Sequence, residues 1–133
     1  MLIYFAIHAN LFFIILNSEA LIKRNKNFAI GIIKFVRTLP SNTEANIISR
    51  QLLRSTTSVA ANYRAACRAR SSAEFISKIS IVVEEIDETN FWLDLMVEAE
   101  IGEKKLISPL LDESLELLKI YSASRKSARG NNK

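Results

Sequence analysis

Arg50, Arg54, Arg64 and Arg68 recur at intervals that put them within about 80° of one another on a helical wheel. A guanidinium is planar, permanently charged and forked, a shape that grips phosphate oxygens two at a time. A row of them on one helix face is suited to tracking a nucleic-acid backbone, RNA or DNA. The same row also suits carboxylates on another protein surface, and the residues alone leave both uses open. No aromatic residue interleaves with the four arginines, so base stacking is not indicated.

Other residue types that carry chemistry give less. Glu84, Glu85, Asp87 and Glu88 crowd one stretch. Carboxylate-bridged metal sites in helical bundles, however, pair inward glutamates with Glu-x-x-His motifs, and no histidine follows here. A solvated acidic face is the better reading. Cys67 has Arg64 and Arg68 nearby to lower its pKa, but no histidine lies near it in sequence, and a small core-edge residue accounts for it. As the only cysteine it forms no intrachain disulfide and no thiolate cluster, which fits a reducing cytoplasm. His8 has no second histidine to share a metal with. No Gly-rich phosphate loop or Ser-His-Asp set is present. The sequence therefore implies no catalytic residue, no cofactor, no metal and no small-molecule substrate.

The elements that would position these residues are helical. At 133 residues the chain is one domain on length, and three glycines and two prolines argue against a turn-rich sheet protein. Apolar positions between Leu21 and Val36 predict a first helix from about Ser18, capped by Asn17 or Ser18, to Leu39, where Pro40 stops it. Ser41 to Glu44 matches a capping box, with Thr43 as the alternative cap, so a second helix runs from about Asn42 to Ala69. Its apolar side holds Leu52, Ser55, Thr56, Val59, Tyr63 and Ala66, opposite the arginines. Ser71 to Glu74 is a second capping-box match. The third helix then runs from Ser72 to about Ile101, with a seam of Phe75, Ile79, Val82, Ile86, Thr89, Leu93 and Met96 at alternating four- and three-residue steps. Gly102 is placed as its terminating glycine. Ser108 and Pro109 suggest the start of a fourth helix, which fades into a polar tail from Ser124. Four helices with short connections give an all-α, antiparallel up-down-up-down four-helix bundle over residues 17–129. Residues 130–133 are a polar tail.

Residues 1–16 are nearly all apolar. The run is shorter than the roughly 20 residues a membrane-spanning helix needs, and it lacks a basic n-region and a clear cleavage site. It reads as an extension outside the bundle, with a signal peptide and a true start near Asn17 as the alternatives.

Charge is sorted along the chain. Between Lys23 and Lys78 only Glu44 and Glu74 oppose a long series of Lys and Arg, and the segment from Ile79 to Glu103 carries acids alone. The tail is basic again at Arg125, Lys126, Arg129 and Lys133. Such asymmetry implies an anionic partner for one surface, or contact between opposite surfaces of identical copies. Phe91 and Leu95 lie four residues apart among the acids, with Trp92 on their flank. An apolar patch of this kind marks an interface, so Phe91, Trp92, Leu95, Glu84 and Glu88 are candidates for contact between copies.

From about Asn17 to Arg129 the chain resembles the family of 23S rRNA intervening-sequence proteins. The resemblance is carried by Phe28-Ala29-Ile30, by Gln51 to Ser55 with Ser58 to Tyr63, by Arg68 to Ser71 with Phe75 and Lys78, and by Glu84-Glu85, Asp87 to Thr89 and Trp92-Leu93. It implies a bacterial, cytosolic four-helix bundle without established enzymatic activity, similar to members that form homopentameric rings. It also implies likeness in fold to a basic pentameric accessory protein of diversity-generating retroelements, which binds nucleic acid and a reverse transcriptase. The apolar first sixteen residues depart from that pattern. The expectation is thus a non-enzymatic homo-oligomer that binds RNA or DNA through Arg50, Arg54, Arg64 and Arg68. The alternative is a structural or interaction module whose basic face meets the neighbouring subunit or an acidic protein.

Overall fold

The computed structural model describes residues 2–130, with side chains described from Asn17 onward. Four helices follow one another: α1 (Leu2–Val36), α2 (Thr43–Cys67), α3 (Ser72–Glu98) and α4 (Lys104–Gly130). The connections are so short that each helix must run back along its predecessor. Across the bundle, Gly31 lies against Leu110 while Arg24 meets Glu113 and Glu116, so α1 and α4 also run in opposite senses. Among the described residues no helix is long and apolar enough to cross a membrane.

The expected core faces are the observed ones. On α2, Leu52, Ser55, Thr56, Val59, Tyr63 and Ala66 are all buried. On α3 the seam from Ile79 to Met96 is buried, with Phe75 half-buried at its start. α1 contributes Phe28, Ile32 and Phe35. From α4 come Ile107, Leu117 and Tyr121, whose ring packs on Tyr63 with centroids 4.9 Å apart. Small side chains at Ser55 and Thr89 let α2 and α3 approach closely. The Thr89 hydroxyl stands 2.9 Å from Ser55 Oγ and 2.8 Å from the Glu85 carbonyl, its one proton serving either acceptor, while Ser55 Oγ donates to the Leu52 carbonyl at 3.2 Å. Between α3 and α4, Asn90 donates to the Ser114 hydroxyl at 3.0 Å.

Helix boundaries differ from expectation, each for a local reason. α1 starts at Leu2, so neither Asn17 nor Ser18 caps it. Both are polar residues on its surface or edge, where mid-helix polar side chains cost little. α1 ends at Val36 rather than Leu39, because its last turn tightens: Thr38 and Leu39 donate to the carbonyls of Phe35 and Val36 at 2.9 and 3.1 Å. The cap of α2 is Asn42, whose side chain accepts from Ala45 N–H at 2.9 Å, and not Ser41 or Thr43. Ser71 does cap α3, accepting from Glu74 N–H at 3.1 Å, while Glu74 reaches back to Arg70 N–H.

At the end of α3 the turning residue is Glu100 and not Gly102. Glu100 has φ +56, and its N–H and that of Ile101 return to the carbonyls of Val97 and Met96 at 3.3 and 2.9 Å. This is the paired pattern of a Schellman cap. α4 begins at Lys104, one turn before Ser108, and keeps Pro109 inside it. Ser108 Oγ donates to the Lys104 carbonyl at 2.9 Å beside the point where the proline offers no N–H. α4 continues helical through Gly130 instead of fading at Ser124. Residues 131–133 of the expected tail, His8 and the other side chains of the apolar extension lie outside the described residues.

Gly102 has a different task. With φ +87, it carries no Cβ where one would stand 2.9 Å from Leu39 Cδ2 and 3.0 Å from Phe35 Cζ. Glu100→Gly should therefore raise stability by about 1 kcal/mol by relieving a left-handed non-glycine residue. Gly102→Ala should lower it by a larger amount. Urea melts of the two variants against the parent chain check both signs.

Candidate functional site

The four arginines stand on the outer face of α2, and all four are exposed. Their surroundings differ. Arg54 faces α3, where its guanidinium bonds both oxygens of Glu85 at 3.1 and 3.3 Å and also grips Glu88. Its Nε donates to Gln51 at 3.3 Å. The charge of Arg54 is thus met within its own chain. Glu88 is held on its other oxygen by Trp92 Nε1 at 3.2 Å, and the Arg54 hydrogen bond holds its carboxyl below the ordinary value of 4.5. Two of the expected interface residues, Glu88 and Trp92, are therefore tied inward.

Arg50 lies toward the end of the bundle where α2 begins. Arg64 and Arg68 lie at the opposite end and line two adjacent depressions. One, facing the α2–α3 turn, is completed by Ala61, Ala65, Arg70 and Glu74. The other is a groove of about 690 Å³ between α1 and α2, with Ile22, Ile30, Ile33, Ala60 and Ala61 in it and Lys26 on its far rim. Ile30 is 40% exposed there.

Antiparallel packing gathers more positive charge at this same end. The start of the described part of α1, the last turns of α2, the first turns of α3 and the end of α4 all meet there. They bring Lys23, Lys26, Arg64, Arg68, Arg70, Lys78, Lys119, Arg125, Lys126 and Arg129 to one pole. None of these has a salt-bridge partner among the described residues, where the ion pairs involve only Arg24, Arg54 and Lys105. Arg125, Lys126 and Arg129 line a shallow surface on α4. Among the described residues the acids at this pole are Glu19 and Glu74, with Glu113 and Glu116 at its edge, where Arg24 holds both. Both basic blocks were visible in the sequence. Their meeting was not drawn from it, although the alternation of four helices requires it.

On α3, Phe91 is 55% exposed and stands edge-on to Trp92, with centroids 5.0 Å apart. Leu95 is half-buried and Glu84 exposed. Beside Lys23 at the edge of the pole, Arg24 clamps α1 to α4 through Glu113, at 2.5 and 3.0 Å, and Glu116 at 3.2 Å. Beneath it the Asn25 amide and the Tyr121 hydroxyl approach each other, and among the described residues neither makes a hydrogen bond of good geometry. Burial pushes the phenols of Tyr63 and Tyr121 well up from their ordinary value. Cys67 is a free, half-buried thiol beside Tyr63. Among the described residues no group of three or more His, Cys, Asp or Glu is placed to hold a metal.

The Arg54 pair is open to solvent, so its worth is modest, roughly 0.5 kcal/mol. A carboxyl whose pKa is depressed by folding adds stability above its unfolded pKa and loses it as pH falls through the folded value. Arg54→Gln should thus cost about that much at neutral pH, and the difference from the parent should close as pH drops below 4.5. Paired urea melts at neutral and acid pH read this out.

Comparison with known proteins adds three findings. The model of the family described as 23S rRNA-intervening sequence protein matches residues 19–123. The chain is similar to a crystal structure from Bacteroides thetaiotaomicron, a protein with unknown function from the S23 ribosomal protein family. Identity is 30%, the TM-score is 0.75, and the match covers 82% of this chain and 97% of that one. None of the curated proteins matches.

Proposed function

The chain belongs to the 23S rRNA-intervening sequence protein family, and from that premise and its charge map we propose a non-enzymatic, homo-oligomeric bundle that binds the backbone of RNA or DNA through its basic pole. The observation that carries this reading is the pole itself, where ten cations from all four helices, none with a salt-bridge partner among the described residues, outnumber Glu19, Glu74 and the two acids Glu113 and Glu116 that Arg24 holds. Cationic side chains spread over a convex end contact phosphates without reading sequence, and release of counterions supplies the free energy. Of the four α2 arginines, Arg64 and Arg68 belong to this surface. Arg50 sits at the far end, and Arg54 is engaged in its own chain. The family's name associates it with 23S rRNA, which agrees with a nucleic-acid partner. A cytoplasmic location fits the free thiol of Cys67.

A second reading is supported by the α1–α2 groove. Its apolar floor beneath Lys26, Arg64 and Arg68 suits a protein partner better than phosphate, so part of the basic face serves contact with a neighbouring subunit or an acidic protein.

The test separates the two surfaces. Arg70, Arg125, Lys126 and Arg129 all changed to Gln should weaken binding of a mixed-sequence RNA oligonucleotide by about tenfold or more, with the salt slope falling by about 0.7 for each phosphate contact removed. Arg54→Gln should leave affinity and slope unchanged. Fluorescence anisotropy across a salt series measures both. Affinity that ignores salt, or a fourfold variant that binds like the parent, would sink the nucleic-acid reading.

A further inference from the structure

Two surfaces on this chain are complementary to each other and cannot meet within one copy. The first is the outer stripe of α3. Phe91 stands at its centre, and Trp92 braces the ring edge-on, so the ring is held in place. Glu84, Asp87, Asp94 and Glu98 flank it along the helix, all exposed and none ion-paired among the described residues. The second is the α1–α2 groove, with apolar Ile30 and Ile33, small Ala60 and Ala61, and a rim of Lys26, Arg64 and Arg68. The alanines leave room for an aromatic ring. The rim is cationic where the stripe is acidic.

We propose that the α3 stripe of one copy seats in the α1–α2 groove of a second copy, with Phe91 as the inserted side chain and Asp87 and Asp94 facing Lys26, Arg64 and Arg68. This deepens the oligomer part of the reading above and rests on it. The occupant is another copy of this chain because both halves of the contact, opposite in charge and each with an exposed apolar centre, are carried by one sequence. Symmetric pairings are disfavoured on the same grounds. Stripe against stripe would oppose acids with acids, and groove against groove would oppose cations with cations. The contact is therefore heterologous, each copy giving its stripe and receiving another's, which closes into a ring where the rotation allows. Arg64 and Arg68 then serve the groove, and Arg70 with the α4 cations is left to nucleic acid.

The experiment uses two variants on exposed positions that leave the core intact. Phe91→Asp disables the stripe and keeps the groove. Ala61→Glu places an acid in the groove and keeps the stripe. Light scattering after size exclusion, with circular dichroism to verify helix content, should show an oligomeric parent and two monomeric variants, association being weakened on the order of a hundredfold. Mixed at equal concentration, the variants should form a one-to-one dimer and nothing larger, since only one intact stripe and one intact groove remain between them. Either variant retaining the parent's mass, or a mixture that stays monomeric, would overturn this pairing while leaving the oligomer reading in place. A parent that is itself monomeric at micromolar concentration would overturn both.

Discussion

The close approach of α2 to α3 at Ser55 and Thr89 sets the register on which the outer surface depends. Both residues are fully buried, and their hydroxyls bond each other and the carbonyls of their own helices. A polar pair in a core is tolerated when every member is satisfied, and it then favours one alignment over its neighbours. Sliding the helices by a turn would break the bond between the two hydroxyls and leave each with only a carbonyl of its own helix. With the register fixed, Arg54, the residue before Ser55, falls over Glu85 and Glu88. The arginines on the same face about three and four turns later pass beyond the acidic part of α3. One hydrogen-bonded contact in the core thus decides which arginine is consumed within the chain and which remain free outside.

Topology then sorts the remaining charge. In sequence the basic residues form separate blocks with an acidic helix between them. Folding four helices up and down places the end of every even helix beside the start of every odd one. The block ending α2 and the block ending α4 therefore share a pole, and the acids of α3 from Glu84 onward are carried away from it. This separation costs little, because the charges are solvated and screened over about 8–10 Å at physiological ionic strength. It leaves a molecule with a directional field, and such a field guides association more than it stabilises the fold.

The buried faces were legible in the sequence because burial imposes a period. Every residue placed on the α2 apolar side is buried, and so is the α3 seam after its first turn. Boundaries were less legible. Ser71 caps α3 as its capping box implies, with Glu74 reaching back, whereas the same pattern at Ser41 gives way to Asn42, one of three consecutive good caps whose intrinsic preferences differ by tenths of a kcal/mol. Glu100 gave no signal at all, since nothing about a glutamate announces a left-handed turn, and the nearby glycine drew the assignment to itself. Gly102 proves to be required by the side chains of Phe35 and Leu39. The start of α4 was hidden by Pro109, which usually marks a first helical position and here sits one turn inside. Of the candidate site, the arginine spacing was readable. The inward engagement of Arg54 and Glu88 was not, because it depends on the register between two helices.

The two proposed uses of the basic face compete at Lys26, Arg64 and Arg68. These residues belong both to the pole and to the rim of the α1–α2 groove. A carboxylate stripe lying along that groove neutralises its rim and nothing more, since Arg70 and the cations of α4 lie around the end of the bundle and out of its reach. Assembly would then remove three cations per copy from the proposed phosphate-binding surface and return a larger number by repetition, because neighbouring poles would lie side by side. A backbone spanning several copies gains from effective concentration as well as from charge. Under the proposed function, assembly is what would turn a modest basic pole into a strong nucleic-acid surface.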